Sequence, residues 1–384
     1  RISPLLARGE RCGFVRVFIG EGQAVSKFCE LRARKLARMI RAQVTTVIVQ
    51  QLHGPRTDDY NFHYCLQICL SILIHHFIAR FGFVLSSEMS DFKIEARDRQ
   101  YHGFPGNEES WEGPYMFVVG TDPQYGMIDT MAGKKDIGWD QEVELTRKAI
   151  EAVNAMTPRP KFFVVCGDLV QCTPGEYLRD EQEADFITEF SKLNSEIPLV
   201  LVSGNHDVGR IPDAASIACY TERFGDDYYS FWAGGVRFLV LNTQLYDNDS
   251  KAKEIRAQHD EWLLKELETM KTSGCKHAVV FQHIPWFLQK PDEEKVYFNI
   301  EKEFRLQMLE KFNDAGVKVV FSGHQHQNDG GFYKGLEQVV TSAMGWQQRA
   351  TDTPGIRIVK VKEEGITHQY YEMDDIPTTI DLKE

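Results

Sequence analysis

The chain has 384 residues, 42% of them hydrophobic and 26% charged, and a formal net charge of −12. This composition is typical of a globular protein with one large or two ordinary domains. Residues 1–88 contain 12 Lys and Arg against 6 Asp and Glu, whereas the remainder contains 32 against 50. Since nucleic-acid binding depends on neutralising phosphates with basic side chains, the acidic majority of the chain argues against a nucleic-acid partner.

The eight cysteines do not have the spacing of a disulfide framework or a zinc site. No CxxC pair occurs, and Cys166 lies inside an apolar run. This pattern favours free thiols in a reducing compartment, so we expect a cytoplasmic protein.

Residues 1–88 form an atypical N-terminal segment, because composition, charge and pattern all change at Met89. The apolar stretch 65–85 is interrupted by polar and basic residues, so it is shorter than the roughly 20 apolar residues of a membrane span. A transit-like presequence, a membrane anchor and a non-native segment ahead of Met89 each account for this region. We favour the last, with the segment non-native or disordered, and expect no membrane partner.

The rest of the chain is interpreted as one domain. A polar, Gly- and Pro-containing stretch at 89–112 predicts an irregular lead-in, and 376–384 is interpreted as a C-terminal tail. Between them, residues 113–375 contain no internal repeat, low-complexity tract or linker.

Strands and helices alternate in the first half of this domain. Apolar runs predict strands at 115–124, 161–169 and 197–207. Helical periodicity predicts helices at 139–156 and 180–194. This alternation predicts an α/β sheet with right-handed crossovers.

The second half is richer in strands. Residues 227–244 predict a hairpin around Gly234 and Gly235. Helices are expected at 252–271 and 301–314, and strands at 277–285, 317–322, 337–344, 355–365 and 366–373.

Five of the predicted strands end in polar residues: Asp122 with Gln124, Asp168, Asn205 with His206 and Asp207, His283, and His324 with His326. Any one of these has an ordinary explanation as a turn former or helix cap. Within a single sheet, however, the carboxyl ends of successive strands meet at one edge. In an extended chain His324 and His326 would also point the same way. We therefore expect one functional site built from all five segments.

This residue set suits divalent metal ions. Carboxylate and amide oxygens combined with imidazoles favour Mn, Fe, Zn or Mg over Ca alone. The ligands are too many for one ion, and two ions need a bridging carboxylate to clamp the oxygens of an in-line displacement. Asp168 is central in the set and is the predicted bridge.

The series Asp122-Pro-Gln124, Gly167-Asp168, Gly204-Asn205-His206-Asp207, His283 and Gly323-His324-Gln-His326 resembles the motifs of the calcineurin-like metallophosphoesterases over about 113–350. The resemblance implies a four-layer α/β/β/α sandwich of two mixed sheets flanked by helices. It also implies a two-metal phosphomonoesterase of the protein serine/threonine phosphatase type, whose partner is a phosphoprotein substrate, and we expect a monomer.

The resemblance assigns a role to each motif residue. One metal would be held by Asp122, Gln124, Asp168 and His326, and the other by Asp168, Asn205, His283 and His324. A hydroxide between the ions would attack phosphorus, His206 would protonate the leaving oxygen, and Asp207 would orient the His206 ring.

Three departures from the family pattern affect these expectations. Gln124 stands where the family usually has histidine, which predicts a weaker first metal. Asp207 replaces the glutamate of the protein phosphatases, and 169–172 lacks their Asp-Arg-Gly. Arg210 and Arg349 are candidates to bind the phosphoryl group, but we interpret each as a surface charge.

Two alternatives stay open. A phosphodiesterase acting on cyclic nucleotides or other small phosphates would use the same motifs. A non-catalytic scaffold would explain Gln124, although it would have no need of the acid His206.

Overall fold

The computed structural model describes residues 92–383, so the predictions for 1–88 lie outside the described residues. Within this range the predicted four-layer α/β/β/α sandwich is confirmed, with two mixed sheets face to face and helices on both outer sides. Over the same range, no helix combines the length and apolar character required to cross a bilayer.

Thirteen strands are present in the described range: β1 (Ala96–Arg97), β2 (Gln100–Tyr101), β3 (Tyr115–Gly120), β4 (Phe163–Cys166), β5 (Leu199–Val202), β6 (Tyr229–Ala233), β7 (Val236–Val240), β8 (His277–Phe281), β9 (Val317–Ser322), β10 (Asp329–Tyr333), β11 (Leu336–Val340), β12 (Gly355–Val361) and β13 (Ile366–Glu372). The helices are α1 (Met127–Met131), α2 (Asp140–Ala155), α3 (Arg179–Phe190), α4 (Asn205–Val208), α5 (Ala214–Phe224), α6 (Gln244–Asp247), α7 (Lys253–Thr272) and α8 (Lys302–Asp314).

The smaller sheet has the strand order β13-β12-β3-β4-β5, and the larger has the order β1-β2-β6-β7-β8-β9-β11-β10. Strands β3, β4 and β5 are parallel, as are β7, β8 and β9. The carboxyl ends of five of these parallel strands, β3, β4, β5, β8 and β9, lead into the predicted site residues.

The layer between the sheets is rich in aromatic side chains. Across the two sheets, the ring of Phe117 packs edge-on against that of Phe238 at 5.6 Å, and the ring of Phe162 packs edge-on against that of Phe281 at 6.1 Å. All four are fully buried. These contacts hold the two sheets in register, and so they fix how the strand ends of one sheet face those of the other.

The outer layers form by ordinary amphipathic packing. Helices α2, α3 and α5 bury their apolar sides on the smaller sheet, and α7 and α8 do so on the larger sheet. The four cysteines of the described range are free: Cys166, Cys172, Cys219 and Cys275.

Both ends of the domain are more ordered than expected. The lead-in was predicted to be irregular, but β1 and β2 form a hairpin whose turn residues Asp98 and Arg99 have φ of 54° and 63°. At the other end, Ile380 is buried and its backbone N–H donates to the carbonyl of Thr157 at 2.9 Å. Residues of the predicted tail therefore pack on the domain.

Helix α7 carries a buried neutral histidine with a consequence for stability. His259 is fully buried and its Nδ1 lies 2.9 Å from the Tyr246 hydroxyl. Burial, together with the positive charges of Arg256 and Arg99, lowers the pKa of His259 to about 3. Its imidazole is therefore uncharged in the folded protein throughout the mildly acidic range.

We expect this histidine to destabilise the fold in acid. Because the unfolded chain binds a proton near pH 6.5 and the folded chain does not, stability contributed by His259 is lost as pH falls from about 6.5 towards 3, by up to ~1.4 kcal/mol per pH unit. Urea unfolding from pH 7 to pH 4 should give a shallower loss of unfolding free energy in His259→Gln than in the wild type. If the unfolding free energies of the two proteins fell equally between pH 7 and pH 4, His259 would not be a source of the acid destabilisation.

Candidate metal centre

His283 follows β8 and lies at the centre of the candidate site. Its Nε2 is 3.2 Å from Asp168 Oδ2, 3.2 Å from Asn205 Oδ1 and 4.0 Å from Asp122 Oδ1. Its side chain is fully buried. One imidazole nitrogen therefore faces oxygens from the ends of three different strands, β3, β4 and β5.

His324 and His326 complete the group from the end of β9. Ligand atoms of Asp168, His283 and His324 all lie within 4.8 Å of one another. Nε2 of His326 is 3.3 Å from Asp122 Oδ1, and the backbone N–H of His324 donates to Asp122 Oδ2 at 3.1 Å. The five predicted segments therefore converge.

The convergence differs from expectation in one respect. Asp122, Asp168 and Asn205 follow strands of the smaller sheet, whereas His283, His324 and His326 follow strands of the larger one. The prediction that all five strands share one sheet is wrong. The site lies where the carboxyl ends of two packed sheets meet.

The backbone at the site is unusual. Asp122, Gln124, Asp168, His324 and His326 all have positive φ, between 39° and 70°. The alternation of an extended chain therefore does not apply to His324 and His326, and that reason for their convergence is wrong. Non-glycine residues in this region are disfavoured, and their clustering is typical of functional sites.

Three histidines share one arrangement, in which Nδ1 faces a backbone carbonyl and Nε2 points away from it, in His283 and His326 toward a buried carboxylate. Because a carbonyl oxygen only accepts, Nδ1 must carry the hydrogen, and this leaves the Nε2 lone pair for a ligand role. The pairs are His206 with Gln171, His283 with Cys166, and His326 with Trp346. In His324 the order is reversed, since Nε2 lies 3.4 Å from the carbonyl oxygen of Tyr297.

The electrostatics of the site favour added positive charge. Burial alone would raise the pKa of Asp168, but the neighbouring histidines hold it well below its usual range. Burial would likewise lower the pKa of His283, but Asp168 and Asp122 raise it to about 9. Burial and the charge of His283 lower the pKa of His324 to about 3. The buried carboxylates thus stabilise a positive charge beside them.

Gln124 is placed to be a ligand. The side chain is buried, Nε2 donates to Gln171 Oε1 at 3.0 Å, and Oε1 has no hydrogen-bond partner among the described residues. Asp122 Oδ1 is also a buried oxygen to which no residue in the described range donates a hydrogen bond. Buried acceptors without partners are costly, and a cation would satisfy both.

Asp207 does not have its predicted contact. Its Oδ2 accepts from the backbone N–H of Gly204 at 2.7 Å and its Oδ1 accepts from that of Leu169 at 3.0 Å. Burial, followed by the charge of Asp168, raises the pKa of Asp207 to about 7. The prediction that Asp207 orients the His206 ring is wrong, because the Gln171 carbonyl has that position. Asp207 instead ties the loop after β5 to the loop after β4.

Glycines admit the close approach of the site loops. A Cβ on Gly204 would lie 2.2 Å from both N and Oδ1 of Asp168, and one on Gly323 would lie 2.3 Å from Asp122 Oδ2. Both distances are far below van der Waals contact. Small residues are therefore required here by the space that the carboxylates occupy.

We expect Gly204→Ala to displace Asp168 and to destabilise the fold by about 1–3 kcal/mol, as overpacking does. Manganese affinity should fall with stability, which thermal unfolding and metal titration would measure. Gly365→Ala is the matched control, because a Cβ there meets nothing within 4 Å. If the two variants had equal stability and equal manganese affinity, the loop that contains Gly204 would accommodate the added methyl group without a free-energy cost.

A family profile described as "Calcineurin-like phosphoesterase" matches residues 112–328. The chain belongs to this family. The fold and the order of the site residues are those that the resemblance implied.

Curated relatives support the same assignment. The chain is similar to "Serine/threonine-protein phosphatase CPPED1" of Bos taurus, with 48% identity over 286 residues that cover 73% of this chain and 91% of that protein. The protein of the same name from Homo sapiens is 47% identical over 287 residues, with the same coverage. Among solved structures, purple acid phosphatase PPD1 of Lupinus luteus matches with a TM-score of 0.51 and 15% identity over 71% of this chain and 54% of that one. The last likeness concerns the fold alone.

Calcineurin-like phosphoesterases use divalent metal ions, and the residues here fit that requirement. The fit rests on the orphaned oxygens of Asp122 and Gln124, the buried carboxylate–imidazole set and the carbonyl-anchored rings. The chemistry of the donor set therefore agrees with the phosphoesterase family.

Several contributors to this phosphoesterase site were missed from the sequence. Gln171 binds both His206, through its carbonyl, and Gln124, through its side chain. Arg179 is buried and donates to the carbonyls of His206 at 2.7 Å and Asp207 at 3.3 Å. Backbone carbonyls and a helix-borne arginine leave no signature in residue spacing. Only the proximity of Gln171 to Asp168 in sequence was a hint.

Proposed function

We propose that this phosphoesterase is a two-metal phosphomonoesterase that hydrolyses phosphoserine and phosphothreonine in proteins. The observation that carries the proposal is the convergence of five strand-end segments on Asp168 and its neighbours. The printed names of the relatives with 47–48% identity support the protein substrate.

Two overlapping ligand sets are proposed, with Asp168 common to both. Asp168, Asn205, His283 and His324 would hold one cation, and Asp122, Gln124, Asp168 and His326 would hold the other. When bound, the two cations would neutralise phosphoryl oxygens and make water a better nucleophile near neutral pH. Their identity among Mn, Fe, Zn and Mg is a matter for direct metal analysis.

His206 is proposed as the acid for the leaving oxygen. Its backbone N–H donates to Asp168 Oδ1 at 2.8 Å, which fixes the residue beside the shared carboxylate. Because Nδ1 donates to the Gln171 carbonyl, Nε2 carries a proton only in the doubly protonated ring. Protonated His206 can therefore give one proton from Nε2 to the serine or threonine oxygen as the P–O bond breaks.

We also propose that the protein acts in the cytoplasm as a monomer on a phosphoprotein partner, without nucleic acid or membrane. The acidic balance of 89–384 supports the lack of a nucleic-acid partner, and the free cysteines of the described range support the cytoplasm.

The test is turnover by the full chain with Mn²⁺ on a panel of phosphoserine and phosphothreonine peptides against cyclic AMP, with metal content measured on the same samples. We expect phosphopeptide turnover with two equivalents of metal. Preferential cleavage of cyclic AMP would replace the proposal with a phosphodiesterase. Metal binding without turnover of any phosphoester would support the scaffold that Gln124 allows.

A further inference from the structure

Arg210 is an exposed cation close to the metal centre. It follows the short helix α4, which contains Asn205 and His206, after a turn at Gly209 with φ of 86°. Glycine is needed there because this backbone conformation is rarely adopted by other residues. Among the described residues, no carboxylate lies within ion-pair distance of Arg210. Its charge is thus left available, although the domain around it is strongly acidic.

The guanidinium is held by Tyr297 rather than by an acid. Cζ of Arg210 lies 5.1 Å from the centroid of the Tyr297 ring, a distance suited to a cation–π contact. The same ring lies 5.0 Å from the ring of His324, and the Tyr297 carbonyl is 3.4 Å from His324 Nε2. Arg210 is therefore within about 10 Å of a predicted metal ligand.

Tyr297 is half exposed and so lies at the mouth of the site rather than in its floor. One aromatic ring therefore connects the free cation to the carboxylate centre.

We propose that Arg210, positioned by the Tyr297 ring, binds a non-bridging oxygen of the phosphoryl group that the metal centre receives. This inference rests on the proposed phosphatase function and identifies a specificity residue for it. The Asp-Arg-Gly arginine of the classical protein phosphatases is absent from 169–172, so an arginine that binds the phosphoryl group would have to come from another segment. Arginine suits the task because its planar donors match phosphate oxygens.

The role of Tyr297 follows from the geometry. Without the ring, a long exposed arginine side chain would sample many rotamers, and ordering it would cost conformational entropy on binding. The contact with the Tyr297 ring restricts the rotamers of Arg210 before phosphate binds, so less conformational entropy is lost on binding. Removing the ring should therefore weaken phosphate binding less than removing the charge does.

The test is the affinity for inorganic phosphate, measured by calorimetry on the Mn²⁺-loaded full chain, together with KM and kcat for one phosphoserine peptide. We expect Arg210→Ala to weaken phosphate binding about tenfold and to raise KM by a similar factor, with kcat within about twofold. Tyr297→Ala should show a smaller loss and Tyr297→Phe almost none. Arg159→Ala is the matched control, because it lies at the amino end of β4, opposite the site.

Phosphate affinity of Arg210→Ala within twofold of the wild type overturns the proposal. So does a KM increase without a phosphate effect, because the arginine would then recognise an acidic group elsewhere on the peptide. Loss of metal from the variant would also overturn it. Failure of the phosphatase function would be separate, since the wild type would then bind phosphate without hydrolysing the peptide.

Discussion

Replacing Asp168 with asparagine is expected to lower metal occupancy at both proposed sites and to reduce phosphopeptide turnover by about 100-fold or more. The physical reason is that one carboxylate serves both ligand sets, and an amide cannot supply its charge. Even changes to groups that only support metal ligands cost about 10- to 100-fold in affinity or activity. Metal analysis by mass spectrometry and turnover of a phosphoserine peptide would measure the two effects.

Asparagine retains the shape of Asp168 and can still accept the His206 N–H, so the loop after β4 should stay folded. Asp374→Asn is the control, because that carboxylate is 82% exposed and pairs with a surface lysine. If Asp168→Asn bound two metals and kept its activity, the shared carboxylate would have no role in the centre.

Replacing His206 with alanine is expected to reduce kcat by about 10²- to 10⁴-fold while metal content stays unchanged. The loss should be largest for phosphoserine peptides, whose alkoxide leaving group needs a proton. It should be much smaller for p-nitrophenyl phosphate, whose leaving group is stable as an anion. Steady-state kinetics on both substrates, with metal analysis, would measure this difference.

The exposed His102→Ala variant controls for histidine loss in general. An equal loss on both substrates would remove His206 from the protonation step, and unchanged kcat would remove it from the reaction. Loss of metal in His206→Ala would instead identify it as a ligand through Nε2, a role that its ring geometry also allows.

Many elements could be read from periodicity, because burial imposes it directly on the sequence. The helix predicted at 139–156 is α2 (Asp140–Ala155), and that predicted at 301–314 is α8 (Lys302–Asp314). Strand β10 was missed since its Gly330 and Gly331 lack the side chains that mark a strand. Helix α5 was missed although its signal was present, a capping box between Asp213 and Ser216.

The identity and order of the metal-ligand candidates were readable from the sequence, because each follows an apolar strand and only certain residue types bind hard or borderline cations. The contacts that these residues make with one another could not be predicted from the sequence. Packing of two sheets, not one, joins His283 to Asp168, and left-handed backbone rather than alternation aims His324 and His326. The partners of Asp207, His206 and Arg210 depend on contacts between loops far apart in the chain. Which chemistry is available can be inferred from the residues alone, since it is a property of residue type. Which of these groups meet depends on the folded chain, because distances between loops are set by the packed core beneath them.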